Sequence, residues 1–189
     1  MRQVFVFVVV AALATACAAR SRSVSIGGFE FTTTSGARSS LLQSIGNAKF
    51  TVIEFFSSEC PVQKSHDARL VELYRRFSAL GVAFIAVDSE VTASAEQDEH
   101  ERRSRGYPFP IVIDENARFA NSVHAEYSTY TLVVDRQGTI RYEGGIDSDR
   151  AVLTGSPAPY LSDALDDLLS GREPRLAASK AFGCMLQKW

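Results

Sequence analysis

Continuous apolar stretches alternate along the chain with segments whose apolar residues recur every three or four positions. Phe50–Phe56 and Val82–Val87 are rich in β-branched and aromatic residues, which predicts two buried strands. Between them, apolar residues from Leu70 to Leu80 recur at helical spacing, and Gly81 marks the end of the predicted helix. The central part of the chain is therefore predicted to fold as strand, helix and strand.

The alternation continues on both sides of this unit. The pattern predicts a short strand at Phe29–Phe31, a helix at Ser39–Ile45, a helix opened by Ser94, a strand at Phe109–Ile113, a helix after Asp114, a hairpin across Tyr130–Tyr142 and a last helix at 160–169. Such an order predicts a mixed β-sheet covered by helices on both faces. We expect one α/β domain over residues 29–171, followed by a C-terminal tail at 172–189.

Residues 1–16 are predicted to be a secretory signal peptide rather than part of the fold. Arg2 supplies a positive charge, and the apolar run Val4–Leu13 is too short to span a hydrocarbon core of about 30 Å. Small residues follow this run and precede Cys17. The chain is therefore expected to be exported, to the periplasm or cell envelope.

Cys17 is a candidate for lipid modification. Leu13–Cys17 resembles a bacterial lipobox, although Ala14 stands where a larger aliphatic residue is usual. Several acyl chains on Cys17 would anchor the protein to the membrane through a tether at 17–28. The alternative is ordinary cleavage after Ala16 or near Ala19, with Cys17 unmodified.

Composition narrows the range of partners. Hydrophobic residues make up 46% of the chain and charged residues 22%, as in packed globular proteins. The net charge is −2, and no basic stripe with interleaved aromatic residues occurs, so nucleic acid is not an expected partner.

Cys60 is the strongest candidate for chemistry, because it lies at the predicted junction of strand and helix. Pro61 suits the first turn of a helix, which places Cys60 where free N–H groups and the positive end of the helix dipole favour a thiolate. Lys64 acts in the same direction and Glu59 against it, so the pKa of the thiol stays open.

Glu54 is a carboxylate inside an otherwise apolar strand, where an unpaired charge is costly. A buried carboxyl with a raised pKa can relay a proton to or from a nearby thiol. The alternative is that Glu54 lies near the sheet surface or pairs with an arginine.

Several segments in this order resemble the thioredoxin superfamily, and more narrowly the exported bacterial redoxins related to the AhpC/TSA group. They are Phe55–Pro61, Phe109–Asp114, Leu132–Gly138, Arg141–Asp147 and Ala181–Cys184. The resemblance implies a thioredoxin-like three-layer sandwich and a thiol-redox activity at Cys60.

The departures from that family change the expected chemistry. Gln63 stands where thioredoxins carry a second cysteine, which excludes exchange between two neighbouring thiols. Thr129 falls at the position of the family's cis-proline, and its hydroxyl is expected to shape the site by bonding a sulfur or a peroxide oxygen. Ser57 stands where peroxiredoxins place a threonine, and the arginine with which they hold peroxide is missing near Thr129.

Cys184 is therefore the candidate partner of Cys60. A second thiol is needed to finish a cycle that begins with thiolate attack or with oxidation to a sulfenic acid. A static disulfide that pins the tail, or a free and unrelated Cys184, are the alternatives.

The leading hypothesis is an exported thiol-disulfide oxidoreductase or peroxidase-like protein, with a protein disulfide, a thiol or a peroxide as substrate and no cofactor. Cys60 would be the nucleophile, Glu54 a proton relay, Thr129 a shaping residue and Cys184 a resolving thiol. A catalytically degenerate binding or assembly module of the envelope is the first rival. A copper-binding protein that uses Cys60 and His124 is the second, although no metal site is predicted.

Overall fold

The structure, a computed structural model, describes residues 29–41, 43, 46 and 48–188. The predicted signal peptide at 1–16, Cys17 and the tether at 17–28 lie outside the described residues and stay predictions. Within the described part, no helix is long and apolar enough to cross a membrane.

The helices and strands follow the predicted alternation. In chain order they are β1 (Glu30–Thr33), β2 (Arg38–Ser40), β3 (Phe50–Phe56), α1 (Pro61–Ser78), β4 (Val82–Asp88), α2 (Ala95–Ser104), β5 (Ile111–Ile113), a 3-10 turn (Glu115–Ala117), α3 (Arg118–Val123), β6 (Thr131–Asp135), β7 (Ile140–Gly144) and α4 (Tyr160–Leu169). The helix predicted at Ser39–Ile45 starts too early: Ser39 and Ser40 belong to β2, because they pair with Phe31 and Glu30 of β1. Leu41 and Gln43 are helical, and residues 42, 44 and 45 of this prediction lie outside the described residues.

The described strands form a single mixed sheet in the order β2-β1-β5-β4-β3-β6-β7. Strands β3, β4 and β5 are parallel, and the outer strands on each side are antiparallel to their neighbours. The carboxyl end of β3 therefore lies in the middle of the sheet, where Glu54 pairs with Ala86 on one side and Thr131 on the other.

Each face of the sheet has its own apolar core. Val52 and Phe56 of β3 face α1 and α4, whereas Ile53 and Phe55 face α3. This alternation follows from the pleat, which points successive side chains to opposite faces. Helices cover both faces, so the predicted α/β sandwich is confirmed.

The C-terminal segment, residues 172–188, packs along one side of this domain. Ala178 forms a bridge with Glu143 of β7, and Met185 forms one with Tyr127 in the loop before β6. Leu186 is buried in the same core as α3. The segment thereby carries Cys184 back to the carboxyl end of β3.

Candidate functional site

Cys60 caps the N-terminus of α1. Its side chain accepts a hydrogen bond from the Gln63 N–H at 3.5 Å, the arrangement of a capping residue. The sulfur therefore lies at the positive end of an 18-residue helix. It is also almost out of contact with solvent, since only 1% of Cys60 is exposed.

Cys184 lies directly against Cys60 although 124 residues separate them in sequence. The Cys184 N–H points at the Cys60 sulfur from 3.2 Å and is shared with the Ser128 hydroxyl at 3.1 Å. The Cys184 carbonyl accepts from the Ser128 N–H at 2.9 Å. Both cysteines are free thiols, and Cys184 is the more exposed of the two.

Thr129 holds the C-terminal segment rather than the sulfur. Its hydroxyl donates to the Phe182 carbonyl at 2.9 Å, and its N–H donates to the Phe55 carbonyl at 2.9 Å. The residue has a φ of +64°, a conformation that is unusual for a β-branched side chain. The residue before it, Ser128, hydrogen-bonds to Cys60. Thr129 therefore shapes the site through the backbone of its loop and the docking of the segment.

The pKa values of the two thiols are shifted in opposite directions. Burial disfavours the Cys60 thiolate, but hydrogen bonds from the Cys184 thiol, from Ser128 and from the N–H groups of Gln63 and Cys184 outweigh it, so the pKa of Cys60 is lowered. Burial and the bond to Cys60 raise the pKa of Cys184 to about 11. Of the two thiols, Cys60 therefore ionises first, and its thiolate accepts a hydrogen bond from the Cys184 thiol.

Glu54 is buried and reaches Cys60 through Gln63. The Gln63 amide nitrogen donates to both carboxyl oxygens of Glu54, at 2.9 and 3.1 Å, and its oxygen accepts from the Ser57 N–H at 2.8 Å. Burial, and then the charge of Asp67, raises the pKa of Glu54 well above its usual range. A proton-relay role for Glu54 stays a prediction, with Gln63 as the link between the carboxyl and the thiol.

Arg105 closes this end of the site without contacting the sulfur. Its guanidinium donates to the Ser58 carbonyl at 2.7 Å and pairs with Glu101 at 2.7 Å and Asp67 at 3.4 Å. It also lies over the ring of Phe56. These contacts fix the loop between β3 and α1 and leave Arg105 engaged with protein groups.

The histidines take separate places in the fold. His66 is buried and bonds to the Val62 carbonyl and to Asp147, whereas His124 lines a surface cavity near the C-terminal segment. Among the described residues, no group of three or more His, Cys, Asp or Glu side chains is placed to hold a metal ion.

The structure thus brings Cys60, Cys184 and Thr129 to one place and links Glu54 to them. Sequence reasoning missed Ser128 as a donor to the thiolate and Gln63 as the link to the carboxyl. Gln63 was visible only as the replacement of the second thioredoxin cysteine. Nothing in the local sequence marks Ser128, because its role depends on a loop 68 residues from Cys60.

A cysteine at a helix N-terminus, on a seven-strand sheet with helices on both faces, defines a thioredoxin-like redoxin. The chain belongs to the AhpC/TSA family, which matches residues 26–143. No curated protein matches the chain.

Solved structures agree with this assignment of the fold. A hypothetical protein from Sinorhizobium meliloti 1021 superposes with a TM-score of 0.77 at 20% identity, covering 89% of this chain and 97% of its own. An uncharacterized conserved protein from Geobacillus kaustophilus gives 0.75 at 28% identity, covering 89% and 94%. A mutant of PrxQ from Xylella fastidiosa gives 0.60 at 14% identity, covering 80% and 95%. These likenesses extend beyond residue 143, since they cover more of the chain than the family match does.

Proposed function

We propose that this redoxin is an exported thiol-disulfide oxidoreductase, anchored through Cys17, in which Cys60 is the nucleophile and Cys184 the resolving thiol. The observation that carries the proposal is the 3.2 Å contact between the Cys184 N–H and the Cys60 sulfur. Export and anchoring rest on the residues of the N-terminal segment alone.

Cys60 acts first and Cys184 second, because the pKa of Cys60 is lowered and that of Cys184 is raised. The Cys60 thiolate attacks one sulfur of a substrate disulfide, forms a mixed disulfide and releases the other sulfur as a thiolate. Cys184 then loses its proton to the released thiolate and attacks the Cys60 sulfur, which frees the second substrate thiol. The second substrate sulfur leaves as a thiolate and takes a proton from solvent. The substrate thus gains two electrons, one proton from Cys184 and one from solvent, and the protein is left with a Cys60–Cys184 disulfide.

Access to Cys60 requires the C-terminal segment to move. Cys60 is 1% exposed, and the Cys184 N–H lies 3.2 Å from its sulfur, so the C-terminal segment forms part of its cover. A substrate disulfide must displace that segment before attack, whereas resolution needs the segment to return. The cover and the resolving thiol are therefore the same element.

Peroxide reduction is the second candidate, because a small peroxide can reach a sulfur from which larger substrates are excluded. The Cys60 thiolate would take one oxygen and become a sulfenic acid, and the peroxide would leave as an alcohol or water after gaining a proton. Cys184 would then condense with the sulfenic acid and release water. Glu54 is the proposed proton source in this route, and the Gln63 amide holds its carboxyl in place.

Matched cysteine variants test the proposal. We expect Cys184→Ser to trap a mixed disulfide between Cys60 and insulin, since the resolving thiol is gone. Cys60→Ser is expected to trap nothing and to lose turnover with either insulin or hydrogen peroxide. Full activity of Cys60→Ser with both substrates would contradict the assignment and favour the binding-module hypothesis.

A further inference from the structure

The surface beside the two thiols carries a cavity of about 450 Å³, within the range of roughly 300–1,000 Å³ typical of small-molecule sites. Val62 and Gly183 line it, and these two residues flank the Cys184 sulfur. Gly183 precedes Cys184 in the chain, and the Val62 backbone hydrogen-bonds to the Cys184 side chain. Through these two residues the cavity adjoins Cys184, the more exposed of the two thiols.

The charge of this cavity is positive on one wall. Arg150 and Lys180 lie over the ring of Phe182, at 4.4 and 5.3 Å from its centroid. Within the described part of the chain, neither cation forms an ion pair. Glu126, the acidic residue among the described lining, is held by Lys188 at 3.1 Å. The wall next to Cys184 thus offers two uncompensated cations on an aromatic face.

We propose that this cavity binds a small carboxylate-bearing thiol, which reduces the oxidised protein by attacking the Cys184 sulfur. The inference rests on the proposed function, since it needs a Cys60–Cys184 disulfide to act on. It adds the chemical class of the electron donor and the sulfur that the donor attacks. Arg150 and Lys180 hold the carboxylates of the donor.

Both access and leaving-group chemistry favour attack on Cys184. Cys184 is the more exposed thiol and is a direct neighbour of the lining residues Gly183 and Val62, whereas Cys60 is only 1% exposed. Attack on Cys184 expels Cys60, whose thiolate is stabilised by Ser128 and the helix N-terminus and is the better leaving group.

The step balances with two donor molecules. A donor thiolate bonds to the Cys184 sulfur, the protein disulfide breaks, and Cys60 leaves as a thiolate. A second donor thiolate attacks the donor sulfur of that mixed disulfide, and Cys184 leaves and takes a proton. Two thiols are oxidised to one disulfide, and the protein regains both of its thiols.

Three reducing thiols of different charge test this inference. The full-length protein is oxidised and then reduced by glutathione, 2-mercaptoethanol or cysteamine, with rate constants expressed per thiolate. We expect glutathione to be the fastest and cationic cysteamine the slowest. Arg150→Met and Lys180→Met keep an apolar stem on Phe182, and each is expected to slow glutathione about fivefold while leaving 2-mercaptoethanol unchanged.

The controls separate this inference from the proposed function. Arg75→Met removes an exposed cation near the far end of α1, about 22 Å from Cys60, and is expected to change no rate. Rapid acid quenching is expected to place the glutathione adduct on Cys184. If oxidation forms no Cys60–Cys184 disulfide, the proposed function fails. If the disulfide forms but the three thiols react alike, or the adduct is on Cys60, the donor site is refuted.

Discussion

Replacing Gly183 with alanine tests how the C-terminal segment covers Cys60. A Cβ atom on Gly183 would lie 1.9 Å from the Ser128 carbonyl oxygen and 2.7 Å from its carbonyl carbon. Both are backbone atoms, so no side chain can rotate away to make room. The segment must therefore move outward by on the order of 1 Å or more to restore ordinary contact distances.

The cost of that movement follows from the hydrogen bonds it breaks. The Ser128 N–H bond to the Cys184 carbonyl is 2.9 Å, and the Cys184 N–H contact with Cys60 is 3.2 Å. At about 1 kcal/mol net for each, their loss weakens docking of the segment by about 2 kcal/mol. The undocked population then rises about 30-fold.

Alkylation of Cys60 by iodoacetamide, followed by peptide mass analysis, measures this change. The lost hydrogen bonds also raise the pKa of Cys60, so the rates are compared on the high-pH plateau, where the thiol is ionised in both proteins. We expect the plateau rate of Gly183→Ala to rise about 30-fold. Gly155→Ala is the matched control, because a Cβ there meets nothing within 4 Å.

An unchanged plateau rate in a folded Gly183→Ala protein would refute the reasoning. It would mean that Cys60 is reached by another route, or that the segment does not control access. A similar acceleration in Gly155→Ala would show a general loosening of the fold instead.

Three further variants test the electrostatics. Cys184→Ala removes a hydrogen-bond donor to the Cys60 thiolate, so we expect the acid dissociation constant of Cys60 to fall about tenfold. The decrease should be smaller in Cys184→Ser. An unchanged midpoint pH for the alkylation of Cys60 would contradict this. Because the pKa of buried Glu54 is raised, its ionisation destabilises the fold as pH rises from the usual glutamate range toward the folded-state value. We expect Glu54→Gln to lose less free energy of unfolding than the wild type over this pH interval, as measured by urea titrations. The same dependence of the unfolding free energy on pH in both proteins would contradict this. Burial and then the charge of Asp98 raise the pKa of Asp88 to about 8, and that of Asp98 is about 6. We therefore expect the stability that Asp98→Asn gains over the wild type to be larger at about pH 8 than at about pH 5. An equal gain at both pH values would contradict the coupling between Asp88 and Asp98.

The position of Cys60 could be predicted because its signals are local. A β-branched strand, a proline in the first helical turn and helical periodicity after it are enough to place a residue at a helix N-terminus. The apolar residues on both sides of Glu54 suggested a buried carboxyl but left a position near the sheet surface open, and the structure buries it. The strand at Arg38–Ser40 was missed, since its pairing with β1 is a tertiary contact that overrides short-range propensity.

The acidity of Cys60 could not be predicted for a different reason. The helix N–H groups were expected to favour the thiolate, and the Gln63 N–H does so, but the opposing charges of Lys64 and Glu59 left the pKa open, and the sequence did not show that Cys184 and Ser128 also lower it. Cys184 and Ser128 come from distant parts of the chain. Only the docking of residues 172–188 brings Cys184 to the thiol, and that docking depends on close backbone packing rather than on a recognisable pattern.

The central claim is that Cys60 and Cys184 form one redox couple. The most direct measurement is mass spectrometry of the oxidised full-length protein, digested with trypsin without reduction. We expect a loss of two hydrogens and a disulfide that links the peptide 50–64 to the peptide 181–188. A Cys60 oxidised to sulfinic acid beside a free Cys184, or a disulfide only between two molecules, would contradict it.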